Sequence, residues 1–346
     1  MKKLSRRWVR WGMALAVVIA GTAGLGFRLT ERNSTPVPVD SLDSPKLAPT
    51  IADDGVKEFR LVAQPVTKSL YPGFNNGVPV TFWGFNGSMP GPTIEVVEGD
   101  RVRIFVRNML PEATTIHWHG IDLPNAMDGA GSHTQRPIEP GEEFVYEFTL
   151  RQNGTHMYHS GFNQTHQVGM GLVGMLIVHP RTPHRPAVDR DFTMMLQMFS
   201  VRPGGNAPDT SSMEEQYFTI NGKSGPVTKH LRVRVGERVR IRIANLSIMN
   251  HPIHMHGHRF WVTGTDGGRI PDSAQWKAAT VLVGAGETRD FEFDAVEPGI
   301  WMLHCHLLHH IMNDMQRPPV PGRGGHNMNE GEGMHTIVEV VGGDRK

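Results

Sequence analysis

The sequence has little cysteine and little net charge. Cys305 is the one cysteine in 346 residues, so an intrachain disulfide is excluded and Cys305 is a free thiol, an intermolecular bridge or a metal ligand. The formal net charge is +1, which provides no general electrostatic attraction for nucleic acid or for a strongly acidic substrate. We therefore expect no nucleic-acid partner.

The N-terminus has basic residues followed by an uncharged run of 17 residues, Trp11 to Phe27. This pattern predicts an export signal over residues 1–27. The run is at the short end of the lengths that span a bilayer, so an uncleaved membrane anchor is an alternative to a cleaved signal. Ser5–Arg6–Arg7 is compatible with the twin-arginine export route, and the general export route is the alternative. Residues 28–54 are rich in proline, serine and charge, and this predicts a linker.

Glycine (39) and proline (25) are abundant, as expected for many short strands joined by turns. Alternating apolar and polar residues occur in Thr93 to Val97, Arg101 to Val106 and Phe144 to Leu150, each bounded by glycine, proline or asparagine. The pattern favours β-sandwiches over helical architectures.

The chain also contains an internal repeat. The segment His117–Trp118–His119–Gly120 is matched by His254–Met255–His256–Gly257, at the same offset of 137 residues that separates Gly99 from Gly236. At an offset of 145 residues, His159–Ser160–Gly161 aligns with His304–Cys305–His306. The repeat predicts two copies of one sandwich, over residues 55–180 and 185–346.

The segment Trp301 to Met315 has the composition of a metal site. A thiolate at Cys305, an imidazole at His310 and a thioether at Met315 are ligands that select copper, and His251 supplies a further imidazole. We expect His251, Cys305 and His310 in a trigonal arrangement with Met315 axial. The first copy has Thr114, Ser160 and Thr165 at the aligned positions and keeps only Met170, so this mononuclear site is expected in the second copy alone.

Histidines two residues apart on a strand point to the same face, so each pair can serve one metal cluster. Two pairs from each copy would give eight imidazoles, enough for three coppers between two sandwiches. Gly161 stands at the eighth position, and the seven present are His117, His119, His159, His254, His256, His304 and His306.

The segments His117 to Gly120, His251 to His258 and His304 to Met315 resemble copper motifs of multicopper oxidases, in the two-domain form typified by small laccases. The resemblance implies an all-β chain of two tandem cupredoxin-like Greek-key β-sandwich domains, with up to four coppers per chain. It places His117 and His254 on the type 2 copper. One type 3 copper would be held by His119, His159 and His306, and the other by His256, His304 and the histidine that Gly161 replaces. The type 3 centre is then complete only if another residue supplies that ligand.

The same resemblance implies a function. Single electrons from a small-molecule or metal-ion donor would reach the type 1 copper and pass through Cys305 to His304 and His306, where O2 is reduced to water. Asp128 sits where the family has an acid near the type 2 copper, although an aspartate before a glycine is also an ordinary turn former. His166 could replace the missing ligand at Gly161, or it could be an exposed loop histidine.

We therefore expect an exported copper oxidase, periplasmic or extracellular, that assembles as a homotrimer because the two copies must face each other to close the cluster. An electron-transfer or copper-handling cupredoxin with an incomplete cluster is the main alternative. A nitrite-reductase-like protein is a third, but that family keeps its blue copper in the first domain.

Overall fold

The computed structural model describes residues 36–313 and 333–342, which lie within the compact unit Ser34–Lys346. The strands of the first half are β1 (Lys46–Leu47), β2 (Thr50–Ile51), β3 (Lys57–Lys68), β4 (Val80–Phe85), β5 (Thr93–Val97), β6 (Arg101–Asn108), β7 (Ile116–His119), β8 (Glu143–Thr149), β9 (Gly154–Ser160) and β10 (Val173–His179). They form a sheet of order β1-β5-β10-β9-β7 and a second sheet of order β2-β3-β6-β8, in which β4 also pairs with β3.

The strands of the second half are β11 (Arg190–Phe199), β12 (Tyr217–Ile220), β13 (Leu231–Arg234), β14 (Arg238–Asn245), β15 (His251–Met255), β16 (Phe260–Thr265), β17 (Gly268–Arg269), β18 (Trp276–Ala278), β19 (Thr280–Val283), β20 (Thr288–Asp294), β21 (Gly299–Cys305) and β22 (His335–Val341). They form a sheet of order β12-β11-β14-β20-β16-β17, with β18 on β16, and a sheet of order β13-β22-β21-β15-β19.

Helices are short and lie in the connections. They comprise α1 (Gly131–Thr134), α2 (Gln164–Gly169) and 3-10 turns at Phe74–Gly77, Asn125–Met127, Asp272–Ala274 and Leu308–Ile311. No helix among the described residues is long and apolar enough to cross a membrane. The segment predicted as an export signal or anchor, residues 1–27, lies outside the described residues.

Each half buries its own apolar core between its two sheets. In β6, Val102, Ile104 and Val106 are buried and alternate with more accessible residues, as expected for a strand with one face on the core. Strand β14 is instead buried on both faces, because its second face packs against the first half of the chain. The predicted all-β architecture of two tandem sandwiches is confirmed.

The repeat seen in the sequence is reproduced in the strand pairing. In the first half β3 runs parallel to β6, and in the second β11 runs parallel to β14. Strand β7 pairs with β9 so that His117 lies opposite His159, and β15 pairs with β21 so that His254 lies opposite His304. The two histidine motifs of each copy are therefore neighbours across one pair of strands.

The N-terminal part of the described chain differs from the linker that the sequence predicts over residues 28–54. β1 pairs with β5, β2 pairs with β3, and Asp40 forms a bridge to Phe192 in the second sandwich. Residues 36–54 are held because Val39 is buried at 2% exposure between the sandwiches and Lys46 forms an ion pair with Glu95. The part from residue 36 onward therefore belongs to the folded body.

Polar contacts also join the two sandwiches. The hydroxyl of Thr155 in β9 donates to Asp290 at 2.6 Å and accepts from Arg242 at 2.9 Å, and the Thr288 hydroxyl donates to the carbonyl oxygen of Thr155. Arg242 is almost fully buried and also pairs with Asp191. These directional contacts define how β9 sits on the second sandwich.

Candidate metal centre

Three donor atoms converge at one end of the second sandwich. His251 begins β15, Cys305 ends β21, and His310 lies in the 3-10 turn Leu308–Ile311. The Cys305 Sγ atom is 3.6 Å from Nδ1 of His251 and 3.3 Å from Nδ1 of His310, and the two Nδ1 atoms are 3.1 Å apart. All three side chains are fully buried. We call this arrangement the mononuclear site.

The protonation of the mononuclear site favours a metal. Burial lowers the pKa of His251 to about 4 and that of His310 to about 3, so both imidazoles are neutral at neutral pH and each has a lone pair to give. Burial raises the pKa of the Cys305 thiol to about 11, so a metal must displace its proton on binding. The Oγ atom of Ser247 lies 2.7 Å from Nε2 of His251, which leaves Nδ1 as the ligating atom. Two imidazoles and a thiolate are a donor set that fits copper.

In the first sandwich a hydrogen-bonded cluster replaces this site. The hydroxyls of Thr114 and Ser160, aligned with His251 and Cys305, both donate to the Oε1 atom of Gln167. Gln167 is fully buried, and its amide nitrogen donates to Glu112 and to the carbonyl oxygen of Ala113. Hydrogen bonds satisfy these buried polar groups without a metal.

A first imidazole group consists of His117, His119 and His159, whose donor atoms lie within 4.8 Å of one another. Nδ1 of His119 is 3.2 Å from Nε2 of His159. Nδ1 of His117 is 2.9 Å from the carbonyl oxygen of Asp128, which leaves its Nε2 available. Burial lowers the pKa of His159 to about 3, so this imidazole is neutral and can act as a ligand.

A second imidazole group lies around the ends of β15 and β21. Nε2 of His256 is 3.1 Å from Nε2 of His304, and the ring of His306 is 5.3 Å from that of His254. Nδ1 of His254 lies 2.7 Å from the carbonyl oxygen of Ala279, so its Nε2 is the free nitrogen. His256 and His306 are exposed, and the group therefore opens on the surface of the chain.

Two family models, both described as multicopper oxidase, match residues 69–183 and 200–321, which is more than half of the chain. The chain belongs to the multicopper oxidase family. The family binds copper, so the predicted resemblance and the predicted cofactor are both confirmed. The fit of the mononuclear site to copper, argued above from donor atoms and burial, agrees with this membership.

Relatives of the chain include laccases and copper resistance proteins. It is 35% identical over 220 residues to copper resistance protein A of Escherichia coli, covering 63% of this chain and 33% of that protein. It is 32% identical to Laccase-15 of Oryza sativa subsp. japonica, covering 71% of this chain and 44% of that protein. The chain thus spans less than half the length of these relatives. Among solved structures, blue copper oxidase from Nitrosomonas europaea has a TM-score of 0.71 at 33% identity, covering 82% of this chain and 85% of that one.

The positions of the imidazoles can be compared with the multicopper oxidase pattern. The pattern pairs His119 with His159 and His256 with His304, and the structure brings the nitrogens of each pair to hydrogen-bonding distance. His306, expected to join His119 and His159, lies with the second group instead. Within residues 36–313 and 333–342, no hydrogen bond or ring contact joins the two imidazole groups.

Gly161 stands where the pattern has an eighth histidine, and its surroundings are closed. The carbonyl oxygen of Gly129 lies too close to the place that a Cβ atom on Gly161 would take, and the Thr115 hydroxyl is 3.1 Å from that place. Two hydrogen bonds of Thr115 hold this arrangement. Its hydroxyl donates to the carbonyl oxygen of Gly129, and its backbone carbonyl oxygen accepts from the amide of Gly161. A ligand side chain at position 161 would therefore require the backbone of Gly129 to move.

His166, a candidate replacement for the missing ligand, is engaged elsewhere. Its Nδ1 atom is 2.8 Å from the Thr210 hydroxyl, and its ring packs edge-on against Trp83 with centroids 5.1 Å apart. Neither partner belongs to an imidazole group. The structure does not bring His166 to the position that Gly161 leaves without a ligand.

Asp128 lies beside the first imidazole group, as the resemblance implies. Its Oδ1 atom is 3.3 Å from Nδ1 of His117, and its side chain is 30% exposed. The residue also ends the 3-10 turn Asn125–Met127, so its backbone has a structural role. Its carboxyl group can therefore reach both solvent and a ligand imidazole.

Sequence reasoning missed two residues of these sites. Gln167 fills the first-sandwich counterpart where the alignment places Thr165, and the ring of Phe218 stacks on His310 with centroids 4.4 Å apart. Gln167 lies two residues after Thr165, the residue that aligns with His310. Phe218 lies on β12, far in sequence from the segment Trp301 to Met315. Neither residue therefore belongs to a motif that the repeat identifies. Met315, the predicted axial ligand, lies outside the described residues.

Proposed function

We propose that the protein is an exported copper-dependent oxidase that takes single electrons from phenolic, aromatic or metal-ion donors and reduces O2 to water. The observation that carries this proposal is the covalent connection of the two kinds of site. Cys305 lies in the mononuclear site, while its neighbours His304 and His306 belong to the second imidazole group. Copper bound at these residues supplies one-electron redox chemistry.

The residues of the chain would each perform a defined task. The fully buried side chains of the mononuclear site, His251, Cys305 and His310, would hold copper away from water, and copper there would accept and pass on single electrons. The backbone links Cys305 directly to His304 and His306, two of the four imidazoles of the second group. Asp128 would hold or deliver a proton at its Oδ1 atom beside His117.

Assembly as a homotrimer is part of the proposal. No hydrogen bond or ring contact joins the two imidazole groups within the part of the chain that the structure describes, and His256 and His306 of the second group are exposed. Leu282, which pairs with Pro252 of the strand that carries His254, is an apolar residue at 54% exposure. A first group from another copy could close on this surface. Sedimentation of copper-loaded protein tests the assembly, and an active copper-loaded monomer would contradict it.

A second candidate is an electron-transfer or copper-handling protein with a depleted cluster, and the closed position at Gly161 favours it. Copper content per chain and O2 uptake discriminate the two. Four coppers with O2 consumption support the oxidase, whereas one or two coppers without it support the alternative. Cys305→Ser is the control, because it removes the thiolate of the mononuclear site and leaves all seven cluster imidazoles in place.

A further inference from the structure

The imidazole of His310 is separated from solvent. The side chain is fully buried, and its Nε2 atom has no hydrogen-bond partner among the described residues. The ring of Phe218 stacks on it with centroids 4.4 Å apart and planes 25° apart. Phe218 is itself only 3% exposed. An electron donor therefore cannot touch the face of His310 that Phe218 covers.

His309 lies against the same ring and reaches the surface. The centroids of the His309 and His310 rings are 4.2 Å apart with planes at 72°, a distance at which the two imidazoles are in van der Waals contact. His309 also meets Phe218 edge-on, with centroids 6.1 Å apart. Its side chain is exposed, whereas His251, Cys305 and His310 are fully buried. His309 is thus the exposed ring in contact with a ligand of the mononuclear site.

We propose that His309 is the positioning residue on which the electron donor docks, and that the electron passes through its ring to His310. This inference rests on the proposed function. The donor would lose one electron, which copper(II) held by His251, Cys305 and His310 would accept to become copper(I). A phenol donor would release its proton to water and leave as a phenoxyl radical. The turn Leu308–Ile311 offers an imidazole and exposed Leu308 but no carboxylate, and this surface suits a flat aromatic donor better than a hydrated metal ion.

The test compares His309→Ala with His309→Phe in copper-loaded protein. Anaerobic stopped-flow measures how fast 2,6-dimethoxyphenol bleaches the blue absorption of the oxidised protein. We expect His309→Ala to slow this second-order rate about tenfold and His309→Phe to restore most of it, because the aromatic ring and its position return. The blue absorption maximum and the reduction potential should stay unchanged in both variants, since His309 is not a ligand.

Ile300→Ala is the control, because Ile300 is an exposed apolar residue at the opposite end of β21 from Cys305 and its loss should leave the rate within about twofold. A second readout uses copper-free protein, in which binding of the redox-inert 2,6-dimethylanisole should perturb the nuclear magnetic resonance signals of the His309 ring. An unchanged bleaching rate in His309→Ala, or an equal loss of rate in Ile300→Ala, would overturn the proposal. Slower reduction by ferrous ion with an unchanged phenol rate would overturn the aromatic-donor assignment. Native protein that no donor bleaches would instead contradict the proposed function.

Discussion

The carbonyl oxygen of Gly129 lies within clashing distance of the position that a Cβ atom on Gly161 would take. The two glycines thereby bring the loop after Asp128 against the end of β9, and the Thr115 hydroxyl fixes the same carbonyl at 2.6 Å. The backbone path therefore disfavours a histidine at position 161, because any side chain there must displace the loop that places Asp128 beside His117.

Substitution of Gly161 tests this relationship. We expect both Gly161→Ala and Gly161→His to lower the free energy of unfolding by about 1–3 kcal/mol, because the added Cβ must push the Gly129 carbonyl away. Copper content and O2 uptake should not rise in Gly161→His. Gly342→Ala is the control, since nothing lies within 4 Å of a Cβ atom there. A Gly161→His variant with native stability and faster O2 uptake would show that the position does accept a ligand.

A sequence repeat predicts which strands correspond in the two sandwiches, but it does not predict the path of a single loop. The offsets of 137 and 145 residues aligned the histidine motifs of the two copies, and the strand registers agree with that alignment, because His117 lies opposite His159 as His254 lies opposite His304. A repeat carries such pairings because both copies share one strand order. The Gly129 carbonyl at Gly161 has no signature of this kind, since it depends on the path of one loop in one copy.

Gln167 should contribute strongly to the stability of the first sandwich. We expect Gln167→Leu to lower the free energy of unfolding by about 2 kcal/mol or more, because the buried hydroxyls of Thr114 and Ser160 lose their common acceptor. Gln164→Leu, at an exposed position of α2, should change it little. Thermal or denaturant unfolding measures both, and equal effects would mean that the hydrogen-bonded cluster is not stabilising.

Replacement of Met315 tests the predicted axial ligand. Met315→Leu should raise the reduction potential of the mononuclear site and keep its blue absorption, because an apolar side chain removes a weak thioether ligand while the trigonal ligands stay. Redox titration followed by absorbance measures the shift. Met312→Leu, a half-buried methionine three residues earlier, serves as the control. The axial assignment fails if both variants have the native potential.

The carboxyl group of Asp128 should matter for turnover and not for electron uptake. Asp128→Asn keeps the backbone carbonyl that lies 2.9 Å from Nδ1 of His117, so the imidazole stays oriented. We expect steady-state O2 consumption to fall about 100-fold, while anaerobic bleaching of the blue absorption keeps its rate, since only proton delivery is lost. Asp122→Asn, an exposed aspartate upstream of the same turn, is the control. If Asp128→Asn consumes O2 at the native rate, Asp128 acts only as a turn former and does not deliver protons.

His156 should make the stability of the copper-free protein depend on pH. It is 2% exposed, neither ring nitrogen has a hydrogen-bond partner among the described residues, and burial lowers its pKa to about 4. In the unfolded chain the pKa of a histidine is about 6.5, so below that pH the unfolded state takes up a proton that the folded state does not.

Stability therefore falls as the pH drops through the window between about 6.5 and the folded-state pKa of about 4. From pH 7 to pH 5 we expect native copper-free protein to lose about 2 kcal/mol more unfolding free energy than His156→Leu, which cannot take up the proton. His133→Leu should keep the native pH dependence, because the imidazole of His133 is exposed in both states. Urea unfolding at the two pH values gives the comparison, and parallel losses in native protein and His156→Leu would show that the buried imidazole does not control it.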